Sequence, residues 1–116
     1  MSTSNININV TLNEQKVPIR IDWKADDSSI NEFQEAKAMM LSFWDAQDKT
    51  ALRMDLWTNN MMMDEMADFF HQNIITMADT FSRATHLENL SADMKKFANL
   101  FLQKFKESQQ SSNKLV

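Results

Sequence analysis

The sequence predicts an α+β fold: a four-stranded, mostly antiparallel sheet made of two hairpins, followed by two antiparallel helices packed on one of its faces. Three observations carry this expectation. Apolar and polar residues alternate over two stretches before Ala25, a second pair of strand-like stretches lies between Lys37 and Thr58, and beyond Asn60 the apolar spacing changes to three and four.

In the first pair, Ile6, Ile8, Val10 and Leu12 share one face, with Asn7, Asn9 and Thr11 on the other. Val17, Ile19, Ile21 and Trp23 repeat the alternation. A hairpin closed through Asn13, Glu14, Gln15 and Lys16 would pair Leu12 with Val17, Val10 with Ile19, Ile8 with Ile21 and Ile6 with Trp23, so that the apolar faces coincide. Pro18 has no amide hydrogen to donate, which puts it at the start of its strand or on an outward position. Lys24 to Glu35, rich in Asp and Ser, reads as a loop or short helical turn.

The second pair runs from Lys37 to Asp45 and from Thr50 to Thr58. A connection through Ala46, Gln47, Asp48 and Lys49 pairs Phe43 with Leu52, Leu41 with Met54 and Met39 with Leu56 on the face expected to be covered by the helices. The reverse face then pairs Trp44 with Ala51, Ser42 with Arg53, Met40 with Asp55 and Ala38 with Trp57.

Met66, Phe69, Phe70, Ile74, Met77 and Phe81 form the stripe of a first helix from about Met62 to Ala84, with Asn59 or Asn60 as its cap. Asp64, Glu65 and Asp68 near its start suit the positive end of the helix dipole. His86 to Asn89 reads as a connection, and Ser91 as the cap of a second helix with Met94, Phe97, Ala98, Phe101 and Phe105 inside. Residues 1–107 are thus expected to be a single domain, with 108–116 a flexible polar tail.

Composition narrows function mainly by exclusion. The chain has no Gly and no Cys, which removes glycine-built phosphate loops, thiolate metal sites, nucleophilic cysteines and disulfides. A net charge of -4 offers no positive field for a phosphate backbone, so no nucleic-acid partner is expected. No basic segment followed by an apolar run opens the sequence and no stretch is long enough to span a bilayer, so the expected location is cytoplasmic.

Six blocks make the chain resemble a known family: LNEQKVPIRIDW (12–23), EAKAMMLSFWD (35–45), LRMDLWT (52–58), DEMADFFHQ (64–72), MADTFSRAT (77–85) and SADMKKF (91–97). Their order and content resemble the gliding-motility-associated GldC family, over about Leu12 to Phe105. Two departures are the absence of Gly near Asp27 and Ser28 and of Pro near Met62. The resemblance implies a cytoplasmic accessory of the gliding machinery without an assigned catalytic activity, and it transfers no site residue.

The residues themselves assign no catalytic, cofactor-binding or metal-ligating group. His71, Asp68 and Asp64 share a helix flank, but no second nearby His completes a usual metal set. Glu35, Asp45, Asp55 and Asp64 show no spacing that selects an acid and base pair, and no Ser sits in a glycine-built elbow. Lys95, Lys96, Lys104 and Lys106 beside Phe97, Phe101 and Phe105 match the charged flank of a globular helix better than a membrane-surface helix. The most informative group is Met40, Trp44, Arg53, Asp55 and Trp57, expected beside Arg20 and Asp22 on the reverse sheet face. Trp, Met and Arg are the types enriched at interfaces. The expected function is therefore protein contact, with a gliding-machinery component or by self-association, through the Trp44 and Trp57 face or an exposed strand edge that receives an extended segment. The bland account of the same patch is that Ile30 and Phe33 cover it, and the competing function is a small ligand-binding protein or enzyme with an unrecognised site.

Overall fold

The computed structural model describes the backbone of residues 1–112 and the side chains of residues 1–110. It is α+β, with β1 (Ile6–Leu12), β2 (Pro18–Ala25), β3 (Gln34–Ala36), β4 (Ala38–Asp45), β5 (Thr50–Trp57), α1 (Met63–Thr85) and α2 (Glu88–Ser112) in chain order. Both expected hairpins form, but they belong to two antiparallel sheets, one ordered β1-β2-β3 and the other β4-β5. The described residues divide into two compact units, one of residues 1–61 and one that begins at Met62.

In the first hairpin the register differs from the expected one by two residues. The Asn13 side chain accepts hydrogen bonds from the amides of Gln15 (2.9 Å) and Val17 (3.0 Å), while the Asn13 amide donates to the Val17 carbonyl (3.0 Å). These bonds close the turn around Asn13, with Lys16 turning the chain back at φ 62°. The register then slips between Thr11 and Leu12, which face Arg20 and Pro18, so Ile19 is left unpaired as a bulge. Pro18, unable to donate, sits where the ladder is already broken. A slip of two keeps each side chain on its face, so Val10 meets Ile21 and Ile8 meets Trp23. Ile21 is the buried centre of this sheet, only 1% exposed.

The segment expected to be a loop or helical turn supplies β3, which pairs with β2 as Ile21 with Ala36, Asp22 with Glu35 and Trp23 with Gln34. At Lys37 the chain bends and leaves for the second sheet. The Lys37 carbonyl accepts from the amide of Thr58 (2.7 Å) and from its hydroxyl (3.2 Å), and the Asn59 amide donates to the Pro18 carbonyl (3.0 Å). Thr58 is buried, so this junction ties the exit of β5 to the entrances of β4 and β2.

The β4-β5 register is the one read from the sequence, from Ala38 with Trp57 to Asp45 with Thr50. Its turn is held by the Lys49 amide donating to the Asp45 carbonyl (2.8 Å) and the Gln47 amide donating to the Asp45 carboxylate (3.1 Å). Lys49 adopts φ 52°, the left-handed conformation that a glycine would take without strain. Phe43 (61%) and Met54 (55%) are exposed, and Leu52 with them, so the interior expected for these side chains is not their environment.

Neither helix starts at its expected cap: α1 is preceded by Met62, two residues beyond Asn60, and α2 begins at Glu88, three residues before Ser91. Met62 precedes α1 and its amide donates to the Glu65 carboxylate (3.0 Å), while the Asn60 side chain is taken by the Thr58 hydroxyl. His86 closes α1 at φ 60°, its amide donating to the Ser82 carbonyl (2.8 Å), and α2 begins at Glu88. Ser91 is therefore inside α2, buried, and its hydroxyl has no partner. The helices meet where side chains are smallest, with Ala67, Ala78 and Ala98 buried, while Phe70, Met77 and Phe97 remain exposed. Phe70 stacks near Phe101 with centroids 6.4 Å apart, His71 Nε2 meets the Asn99 side chain at 3.0 Å, and Lys95 pairs with Asp79 at 2.6 Å. Helix α2 continues to Ser112, so the expected tail from Ser108 to Ser112 is helical, and residues 113–116 lie outside the described residues.

Two stability outcomes follow. Ser91→Ala removes a desolvated hydroxyl that makes no bond, and should raise the free energy of unfolding by about 1 kcal/mol; urea melts followed by helical circular dichroism will show the midpoint rise. Ala98→Leu forces a branched side chain into the helix seam and should cost about 1–3 kcal/mol on the same measurement. A third concerns the turn: Lys49→Gly should stabilise the chain by up to about 1 kcal/mol, since glycine alone pays no steric penalty at positive φ.

Candidate interaction surface

The surface is built on β4 and β5, and the period of a strand decides its membership. Cross-strand pairing sets Trp44 opposite Ala51, Ser42 opposite Arg53, Met40 opposite Asp55 and Ala38 opposite Trp57, so Met40, Trp44, Arg53, Asp55 and Trp57 do share one face. Trp44 is 69% exposed and Trp57 is 56% exposed, whereas Met40 is half-buried.

The two indoles occupy opposite ends of the ribbon. Ala51, the partner of Trp44, is six positions from Trp57, roughly 20 Å along the strand at about 3.3 Å per residue. Between them Arg53 grips Asp55 through two bonds, Nη2 to Oδ1 at 2.9 Å and Nε to Oδ2 at 3.1 Å. This hydrogen bonding, and the Asp55 charge behind it, raises the Arg53 pKa above its ordinary value, so the guanidinium stays charged. The pair is exposed, which keeps its contribution to folding small. Its consequence is geometric, because it holds a planar cation and a carboxylate in fixed order on a neutral stripe between two apolar ends.

Arg20 and Asp22 do not join this surface. They lie on the first sheet, where Asp22 faces Asn9 and Glu35 across the strands and Arg20 bonds Asp22 (2.8 Å) and reaches Glu35 (3.5 Å). Hydrogen bonding to Asp22, followed by the Asp22 and Glu35 charges, raises the Arg20 pKa as well. Nor do Ile30 and Phe33 act as a cover. Both are exposed, and the Phe33 ring lies 5.9 Å from the Lys24 ammonium of β2.

Sequence reasoning did not reveal which backbone groups of this ribbon face outward. The 2.7 Å bond between Thr58 and Lys37 fixes the phase of the ladder, so Leu52, Met54 and Leu56 turn their backbone groups toward β4. Ala51, Arg53, Asp55 and Trp57 turn theirs outward, and β5 has no strand on that side among the described residues. Alternation in the sequence indicates faces, but the direction of the amides depends on the bonded phase, which only the pairing reveals.

His71 is committed to Asn99, and among the described residues no three His, Asp or Glu side chains are grouped to hold a metal ion. No helix among them is long and apolar enough to cross a membrane.

No curated protein and no solved structure matches the chain. A family model does, described as gliding motility-associated protein GldC-like, and it spans residues 18–107, which include β2 through β5, all of α1 and most of α2. With most of its length matched in this way, the chain belongs to the GldC-like family of gliding motility-associated proteins.

Proposed function

We propose that this protein is a non-catalytic, cytoplasmic accessory of gliding motility that works by binding a protein component of the gliding machinery through the Trp44 and Trp57 face of β4 and β5. The observation that carries the reading is the exposure of both indoles on a face whose only charges are the mutually neutralised Arg53 and Asp55. Burying an indole removes a large apolar area from water, and residues of this type dominate the energetics of protein contacts. A neutral ion pair between them can be covered without leaving an unbalanced charge, provided the partner supplies hydrogen bonds to the free edges of the carboxylate and guanidinium. Membership in the GldC-like family supplies the biological setting.

The test is complementation in a gliding bacterium deleted for its own family member. The wild-type chain should restore surface spreading, and the Trp44→Ala, Trp57→Ala double variant should not, although it folds with unchanged helical circular dichroism and accumulates to the same level. Each single substitution should weaken capture of the partner by roughly thirtyfold, the effect of losing about 2 kcal/mol at an interface anchor. Full spreading by the folded double variant would remove the proposal.

A further inference from the structure

The order of residues on β5 is self-complementary. Written from Thr50 to Thr58 the strand is TALRMDLWT, and folding that string about Met54 sets Thr50 against Thr58, Ala51 against Trp57, Leu52 against Leu56 and Arg53 against Asp55. Small meets large, apolar meets apolar, and each charge meets its opposite. An antiparallel pair of identical strands related by a two-fold axis realises this folding.

The backbone agrees with the side chains. The outward amides and carbonyls are those of Ala51, Arg53, Asp55 and Trp57, as the β4-β5 ladder requires. An axis through Met54 pairs outward residues only with outward residues, Arg53 with Asp55 and Ala51 with Trp57, so every outward group of β5 gains a partner. Sliding by one residue on both strands keeps the ladder but sets Arg53 against Arg53 or Asp55 against Asp55, which like-charge repulsion opposes. The outer edge of β4, where Ala38, Met40, Ser42 and Trp44 turn outward, carries no charge that would select a register.

We propose that β5 pairs edge to edge with β5 of a second copy of this chain, about a two-fold axis at Met54, to form one four-stranded sheet in the order β4-β5-β5-β4. The pairing stands on the edge alone and does not require the partner surface argued above, but it would complete that surface. Within one copy the indoles are at opposite ends of the ribbon. Across the new pairing Trp57 of the second copy lies opposite Ala51, whose other neighbour is Trp44. The two indoles then flank one alanine, about two strand spacings apart, or roughly 10 Å between their backbones.

The experiment uses the full chain and exploits its lack of native cysteine. Light scattering should give twice the 13.5 kDa chain mass. Arg53→Asp and Asp55→Arg should each weaken the dimer at least about tenfold through like-charge contacts. The double exchange Arg53→Asp, Asp55→Arg should restore it, and an equimolar mixture of the two single variants should form a heterodimer. Met54→Cys, placed on the axis at a non-hydrogen-bonded pair where backbones approach to about 4.5 Å, should crosslink under mild oxidation. Leu52→Cys should not, since its counterpart lies four residues away along the strand. A wild-type monomer at high concentration, equal crosslinking at both positions, or a double exchange that behaves like the single variants would overturn the pairing. A monomer whose β5 variants lose an extended segment of another protein would overturn it too. Should the dimer hold while the tryptophan variants still support gliding, the partner surface fails and the pairing stands.

Discussion

The phase and register of the β4-β5 ladder are the constraint on which the candidate surface and the proposed strand pairing both depend. Because side chains alternate along a strand, one register decides which residues share a face, and because hydrogen-bonded and non-bonded pairs alternate, it also decides which amides look outward. Two features fix it at opposite ends. The Asp45 carboxylate and carbonyl collect the turn amides, and the Thr58 amide and hydroxyl both reach the Lys37 carbonyl. Between these ends every apolar residue on one face meets another, so a slip of one residue would set Phe43 and Leu52 on opposite sides.

A ribbon with that arrangement has an unusual balance. Phe43, Leu52 and Met54 are exposed on one face, Trp44 and Trp57 on the other, and among the described residues no strand pairs with the outer edge of β5. Two strands alone bury little area, and at roughly 25 cal/mol per Å² the uncovered apolar groups are a reservoir of association energy. Exposed apolar surface of this kind is the type that marks interaction sites on proteins. Arg53 and Asp55 serve as the polar punctuation of that surface, giving it direction without net charge.

The absence of glycine shapes the rest. Among the described residues Lys16, Lys49 and His86 occupy the left-handed region despite their side chains, at two hairpin turns and the end of α1. Each is compensated by local bonds: Asn13 at the first turn, Asp45 at the second and the Ser82 carbonyl at the helix end. The helix pair solves its own problem with alanine. Ala67, Ala78 and Ala98 allow close approach, which shifts the seam away from Met77 and Phe97 and strands the Ser91 hydroxyl inside it.

Periodicity alone determined the element types, their antiparallel pairing and the whole β4-β5 register, because the alternation of large apolar residues left one consistent match across a four-residue turn. It also determined which five residues share the candidate face. It did not determine the first hairpin register, where Asn13 collects the turn amides and Ile19 bulges, since side-chain bonds to turn amides leave no trace in hydropathy. Nor did it reveal β3, too short to show a period, or the cap positions, where Met62 and Leu87 precede helices that Asn60 and Ser91 were expected to start. Which side chains stay exposed and which amides of β5 face outward were decided only by the tertiary structure, because both depend on what lies across space from a residue rather than beside it in the chain.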